Sequence, residues 1–218
     1  MKKLFTLIIL TFFTISCDLL ENDNEKPQKL TSDILPLEVG NYWNYQYQEF
    51  MDDSLIYSWP KQIKVISDTV INYKGEQKLL YKIKEVFELS DYNSTLILYY
   101  LLGFENDGVY WYAHSVNVDN KYFFNKHYHI KYPIKVGDNW IHDHDDYHIY
   151  FECASITDSI KYQNINYECI SVKNGKEVTT YFMKYVVDIG LVEETKSFGW
   201  NTKSNFAIYK LTDHYIQL

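Results

Sequence analysis

The stretch Lys131-Tyr-Pro-Ile-Lys-Val-Gly-Asp-Asn-Trp140 decides the fold, because Pro36-Leu-Glu-Val-Gly-Asn-Tyr-Trp43 has already used the same plan. Both run proline, aliphatic, charged residue, valine, glycine, polar residue, any residue, tryptophan; Gly40 matches Gly137 and Trp43 matches Trp140. A glycine followed by Asn or Asp makes a tight turn at no steric cost. After the first turn, Trp43, Tyr45 and Tyr47 fall on one face of a strand by period two. A second echo follows in the same order, Ile66-Ser-Asp-Thr-Val70 and then Ile156-Thr-Asp-Ser-Ile160. Two matching anchors in one order imply internal duplication, with repeats at 33–125 and 126–218 of a single β domain.

Working outward, short alternating runs recur along both repeats. Strands are predicted over 63–70, over 77–87 with Leu79, Tyr81 and Ile83 on one face, and over the apolar run 96–104. Glu105-Asn-Asp-Gly108 then turns the chain into Val109-Tyr-Trp-Tyr112. The second repeat offers His142–Ile156, Asn166–Val172, a Lys173-Asn-Gly-Lys176 hairpin, Glu177–Tyr185, Asp188–Glu193 and Phe206–Leu211. A chain with 22 Tyr, 5 Trp and few glycines and prolines suits strands and a packed core, not disorder. The fold class expected is all-β, a duplicated antiparallel meander forming a curled sheet, barrel-like or two-layered. Trp43 and Trp140, with Gly40 and Gly137, are read as structural residues sealing equivalent ends of the core.

The N-terminus is chemically different. Met1-Lys-Lys is followed by a twelve-residue apolar run and then Ser16-Cys17. The run is short of the about 20 residues of a membrane-spanning helix and reads as a signal peptide, residues 1–16. Ile15-Ser-Cys17 resembles the lipobox of bacterial lipoproteins, which implies acylation of Cys17 by palmitate-type chains and a membrane partner through that lipid. Residues 17–32 are poor in aromatic and β-branched side chains and read as a flexible tether. Its acidic start resembles the export tag of Bacteroidota-type surface lipoproteins, with Leu19 and Leu20 interrupting it. The resemblance points to the outer membrane, with surface exposure as its further implication; in enteric-type lipoproteins an Asp directly after the cysteine, as Asp18 is here, favours the inner membrane instead.

Loss of Lys2 and Lys3 with the signal moves the formal charge from −8 to −10. Such an acidic chain without a basic cluster argues against nucleic acid as partner. Protein, glycan or apolar small molecule remain.

Leu35-Pro-Leu-Glu-Val-Gly-Asn-Tyr-Trp-Asn-Tyr45, Pro133-Ile-Lys-Val-Gly-Asp-Asn-Trp140 and Tyr185-Val-Val-Asp-Ile-Gly-Leu-Val-Glu193 together resemble an uncharacterised family of Bacteroidota-type lipoproteins. That family carries a Leu-Pro…Gly…Trp…Tyr start and a Gly-x-Gly-Leu-Val end. Asp188 stands where the late motif often has its first glycine. The resemblance implies a curved-sheet envelope protein, a type of which some members bind lipid or hydrophobic ligands.

Candidate chemistry is sparse. Asn139-Trp-Ile-His-Asp-His-Asp-Asp-Tyr-His148 would place His142, His144, Asp146 and His148 on one face of a single strand. His127 and His129 can sit across from it, making an adventitious or structural transition-metal site from His142, His144, His127 and His129; no dedicated cofactor is expected. The alternatives are a polar, wet strand end, or a partly buried hydrogen-bonded face matching Tyr45 and Tyr47. No G-x-S-x-G elbow, H-E-x-x-H helix or glycine-rich phosphate loop occurs, and neighbouring acids such as Glu193 and Glu194 point opposite ways on a strand. No catalytic residue is assigned.

Cys153 and Cys169 lie equally far from Lys161, so they can face each other across a hairpin, and export permits a disulfide. Two buried small side chains matching Ile63 and Leu79 are the alternative. Tyr110, Trp111 and Tyr112 are the preferred ligand-binding surface, because period two puts Trp111 opposite its neighbours and leaves one side partly exposed. The function expected is a lipid-anchored envelope protein with a non-enzymatic binding or assembly role. A carrier of hydrophobic ligand would show an apolar cavity. A hydrolase with carboxylates assembled from separate strands would show a deep polar cleft.

Overall fold

The computed structural model describes residues 34–116, 122–144, 147–158, 163–173, 176–198 and 205–217. Cys17, the signal and the tether lie outside them.

Twelve strands form one antiparallel sheet. The first half contributes β1 (Tyr42–Met51), β2 (Ser54–Tyr73), β3 (Glu76–Leu89), β4 (Ser94–Glu105), β5 (Gly108–Val116) and β6 (Phe123–Lys131). The second contributes β7 (Asn139–His144), β8 (Tyr147–Asp158), β9 (Gln163–Lys173), β10 (Lys176–Val186), β11 (Gly190–Phe198) and β12 (Asn205–Tyr215). Each half is a meander, and β1 pairs with β12 to join them, giving the order β6-β5-β4-β3-β2-β1-β12-β11-β10-β9-β8-β7. The sheet curls until its two edges, β6 and β7, lie beside each other without pairing. The result is a nearly closed barrel with one seam, and its edge strands are shielded by one another instead of being left as templates for aggregation. The division expected at 125/126 falls inside β6.

The two quoted stretches do the same work. Gly40 adopts φ 103° and Gly137 φ 85°, left-handed conformations that favour glycine. Asn41 N–H donates to Glu38 O, and Asp138 N–H donates to Lys135 O, each at 3.0 Å. Gly40 N–H then donates to Val65 O while Val65 N–H donates to Asn41 O; Gly137 and Asp138 repeat both bonds with Cys153. Both receiving strands carry a register shift directly afterwards, between Val65 and Ser67 and between Cys153 and Ser155. Val65 therefore corresponds to Cys153, which moves the second echo by two positions from the alignment Ile66 with Ile156.

Inside the barrel, Trp43, Tyr45, Val65, Tyr81, Ile83, Tyr100, Leu102, Trp140, Tyr167 and Tyr185 form one core. Residues Ile34, Leu35 and Leu37 precede β1 and are buried against that core, closing one end. Trp43 Nε1 donates to Ile189 O at 2.5 Å and Tyr45 Oη to Leu191 O at 2.8 Å, fastening β1 to the β10–β11 turn and to the start of β11. Asp188, the residue at the motif's glycine position, has φ 68° and occupies the glycine-like conformation itself. Asn41 is fully buried; its amide donates to Pro36 O and accepts from Gln217 N–H, tying the plug to the C-terminus.

The halves differ in one respect. β2 spans 20 residues where β8 spans 12. β3 pairs with β4 only from Tyr81 onward, so the far part of the β2–β3 hairpin leans over the outer face of β4 and β5. There Leu80, Leu101, Tyr110, Tyr112 and Ala113 form a second core, with Ile71 and Tyr73 from the hairpin packed on it.

Candidate functional site

The interior core leaves a cavity of about 250 Å³, lined by aliphatic and aromatic side chains from seven strands and from the plug. Leu35, Leu37 and Trp43 line it from the plugged end. Polar groups line it too: Lys61, Glu85, His129 and Glu194, with the phenols of Tyr45, Tyr100 and Tyr185.

Their positions follow from strand period. In β2, Trp59, Lys61, Ile63 and Val65 alternate onto the inner face; in β3, Tyr81, Ile83, Glu85 and Phe87 do so. The β2–β3 register pairs Ile63 with Glu85 and Lys61 with Phe87. Lys61 Nζ reaches Glu85 at 2.5 Å, both side chains being 11% exposed. Its ammonium also lies 4.6 Å from the Tyr209 ring centroid and 5.0 Å from that of Phe87, a cation–π enclosure. Glu194 is held by Lys196 at 3.2 Å, and Lys196 sits 5.0 Å from the Tyr209 ring. Each cavity carboxylate thus has its own ammonium.

Burial raises the Tyr45, Tyr100 and Tyr185 hydroxyls well above the usual phenol range. Glu194 adds to the effect at Tyr45 and Tyr185, and Glu85 at Tyr45 and Tyr100, which places the phenols around the two acids. They stay protonated and can donate hydrogen bonds. Burial, with the charge of Lys61, pushes His129 down to about 4, so its imidazole is neutral at ordinary pH.

The residues singled out in the sequence distribute differently from their expected grouping. Trp111 lines the cavity, stacked on Tyr100 with centroids 4.2 Å apart. Tyr110 and Tyr112 lie on the opposite face, but that face is covered: Tyr110 is 9% and Tyr112 0% exposed. Their hydroxyls donate to Asp107 and Glu105. The exposed side anticipated at this strand is filled by Tyr128 and Lys126 of β6 over Tyr110 and by Tyr73 of the long hairpin against Tyr112, contacts between elements that period two on β5 does not report.

The histidine run is not one strand. It is shared between β7 and β8, which pair antiparallel and set His142 against Ile149 and Asp143 against His148. His142 therefore faces inward and His148 outward. His127 does meet His142 across the seam, ring centroids 3.5 Å apart, while His129 and His127 both lie against Trp111. The side chain of His144 is outside the described residues. Among the described residues no group of three or more His, Cys, Asp or Glu is arranged to hold a metal ion.

Cys153 and Cys169 are free and buried. The β8–β9 register pairs Cys153 with Tyr167 and Phe151 with Cys169: the pairing of Asp158 with Gln163 already departs by one position from symmetry about Lys161, and a bulge at Ala154 adds a second. The cysteines are diagonal neighbours; such residues lie about 7–8 Å apart, with their Cβ atoms somewhat closer but still beyond the about 3.5–4.5 Å of a disulfide. In place of Ile63, Cys153 corresponds to Val65.

The sequence reading assigns no site role to Lys61, Glu85 or Glu194. Their signal is a lone charged residue inside an otherwise apolar period-two face, present at Lys61 between Trp59 and Ile63 and at Glu85 between Ile83 and Phe87.

No protein-family model and no curated protein matches the chain. Among solved structures it is similar to an exported protein with a YmcC-like fold from Bacteroides fragilis, at 13% identity and a TM-score of 0.50. The match covers 84% of this chain and 99% of the other, and the likeness is one of fold.

Proposed function

We propose that the chain is a lipoprotein of the bacterial envelope whose barrel binds a small, partly apolar molecule without transforming it. The observation that carries the reading is the interior cavity of about 250 Å³, walled by apolar side chains with a few polar groups inside it. That combination is what ligand sites use to bury a molecule and fix its orientation, and the size is slightly below the about 300–1,000 Å³ of drug-sized pockets. A single short chain or ring is the scale that fits.

In this reading Cys17 carries the acyl chains, residues 17–32 span the distance to the membrane, and the domain from residue 33 onward holds the ligand. Two or more acyl chains make such attachment stable where one is marginal. The description of the Bacteroides relative by fold as exported is in keeping with an envelope address. The outer membrane is the membrane proposed.

The test is direct. The protein is purified from its host envelope and its organic extract compared by mass spectrometry with that of a Cys17→Ser variant. A stoichiometric small molecule extracted from purified protein, together with an acyl-modified N-terminal peptide lost in the variant, is the expected result. Absence of any co-purifying molecule and of binding to amphiphile probes would refute the cavity role; an unmodified Cys17 peptide would refute the anchor.

A further inference from the structure

We infer that the barrel cavity selects an uncharged amphiphile, one with a hydroxyl or carbonyl head and a short apolar body, and that the Lys61–Glu85 pair sets this selectivity. The inference rests on the reading that the cavity binds a ligand, and it concerns which chemistry enters.

Three charged side chains line the cavity, and each is already neutralised nearby: Lys61 with Glu85 at 2.5 Å, and Glu194 with Lys196 at 3.2 Å. His129, the remaining titratable base in the lining, is held neutral by burial and by Lys61. A carboxylate entering this space loses its hydration and meets Glu85 and Glu194 as like charges. An ammonium entering it meets Lys61, whose rings and carboxylate already fill the cation-binding role. Neither ion finds an unclaimed opposite charge. An uncharged head loses less hydration, and it finds hydrogen-bonding groups in the protonated phenols gathered around the two acids. Leu35, Leu37 and Trp43 at the plugged end receive the apolar body.

One substitution reverses the logic. Glu85→Gln keeps the side chain's size and removes the charge opposite Lys61, leaving an ammonium inside the cavity without its carboxylate. A ligand carboxylate can then take the vacated role. Selectivity should turn from the alcohol toward the acid.

The probes are 1-octanol, octanoate and octylamine, titrated at pH 7.5 by calorimetry and by tryptophan fluorescence. The mature polypeptide from residue 17 is produced without its signal, so Cys17 is unacylated and no detergent competes. Octanol is expected to bind at least tenfold tighter than either ion, and Glu85→Gln to raise the octanoate-to-octanol affinity ratio at least tenfold. If octanoate or octylamine binds tightest to the unaltered protein, the inference is overturned while a binding cavity stands. If none of the three binds, the binding reading falls with it. An unchanged ratio in a folded Glu85→Gln protein overturns the role of the ion pair; should that variant not fold, the ranking on the unaltered protein still decides the inference.

Discussion

Val65 and Cys153 hold the same place in the two halves of the barrel: each exchanges two 2.9 Å backbone hydrogen bonds with the Gly-Asn or Gly-Asp turn that opens its half, and each precedes a register shift. Both side chains are 0% exposed. The thiol of Cys153 is therefore serving as a small apolar group in a valine site.

Cys153→Val adds about a methylene's volume to a site of valine geometry, so the protein should still fold, at a cost of no more than the about 1–3 kcal/mol usual for overpacking. Burial raises both the Cys153 and Cys169 thiols, so neither should react with a maleimide in the native protein. In denaturant both should label without prior reduction. A requirement for reductant would show a disulfide and sink the assignment.

Trp43 and Trp140 match in position but differ in bonding. The Trp43 indole donates to Ile189 O, whereas the Trp140 N–H has no partner among the described residues and its ring stacks on Phe151 at 4.9 Å. Alanine at either should cost about 3–5 kcal/mol. Phenylalanine should separate them: Trp43→Phe loses a hydrogen bond of about 1 kcal/mol beyond what Trp140→Phe loses. Urea denaturation of the four variants measures the difference, and an equal cost for the two phenylalanine variants would refute it.

His129 predicts a pH dependence. Its value falls from 6.5 to about 4 on folding, through burial first and then Lys61. Above pH 6.5 the imidazole is neutral in both states and has no effect. Below it the unfolded chain binds a proton that the folded chain refuses, so stability falls between pH 6.5 and about 4, by up to about 3 kcal/mol in all. Carboxylates titrate at the lower end of this window as well, so the readout is the difference between the parent and His129→Gln. Parallel stability curves for the two proteins over that range would exclude the effect.

Gly103 marks where the long hairpin crosses the sheet. A Cβ there would lie 2.5 Å from Leu80 Cδ2 and 3.0 Å from Tyr112 Cε2, with Leu79 O at 3.4 Å. Gly103→Ala should cost about 1–3 kcal/mol by overpacking. The second core would loosen, and proteolysis near the β2–β3 tip should quicken. Thermal melting and limited proteolysis check both, and an unaffected melting temperature would mean that Leu80 yields freely.

The sequence by itself determined the all-β class, the paired Gly…Trp openings and the inward face of β1, because glycine turn chemistry and period-two alternation are local properties. It also marked Asp188 as a departure from a glycine position, and the backbone there is glycine-like. The tertiary structure alone decided that β1 joins β12, that β6 and β7 meet at a seam, and that His127 finds His142 there. These contacts link residues far apart in the chain, and alternation reports which face a residue takes without saying what stands opposite. The same gap explains Tyr110 and Tyr112, whose face is covered by Tyr128 and Lys126 of β6 and by Tyr73 of the long hairpin. It also explains the cavity: Lys61 and Glu85 each break an apolar face, but only the register of β2 against β3 and the curl of the sheet bring the two charges together inside the barrel.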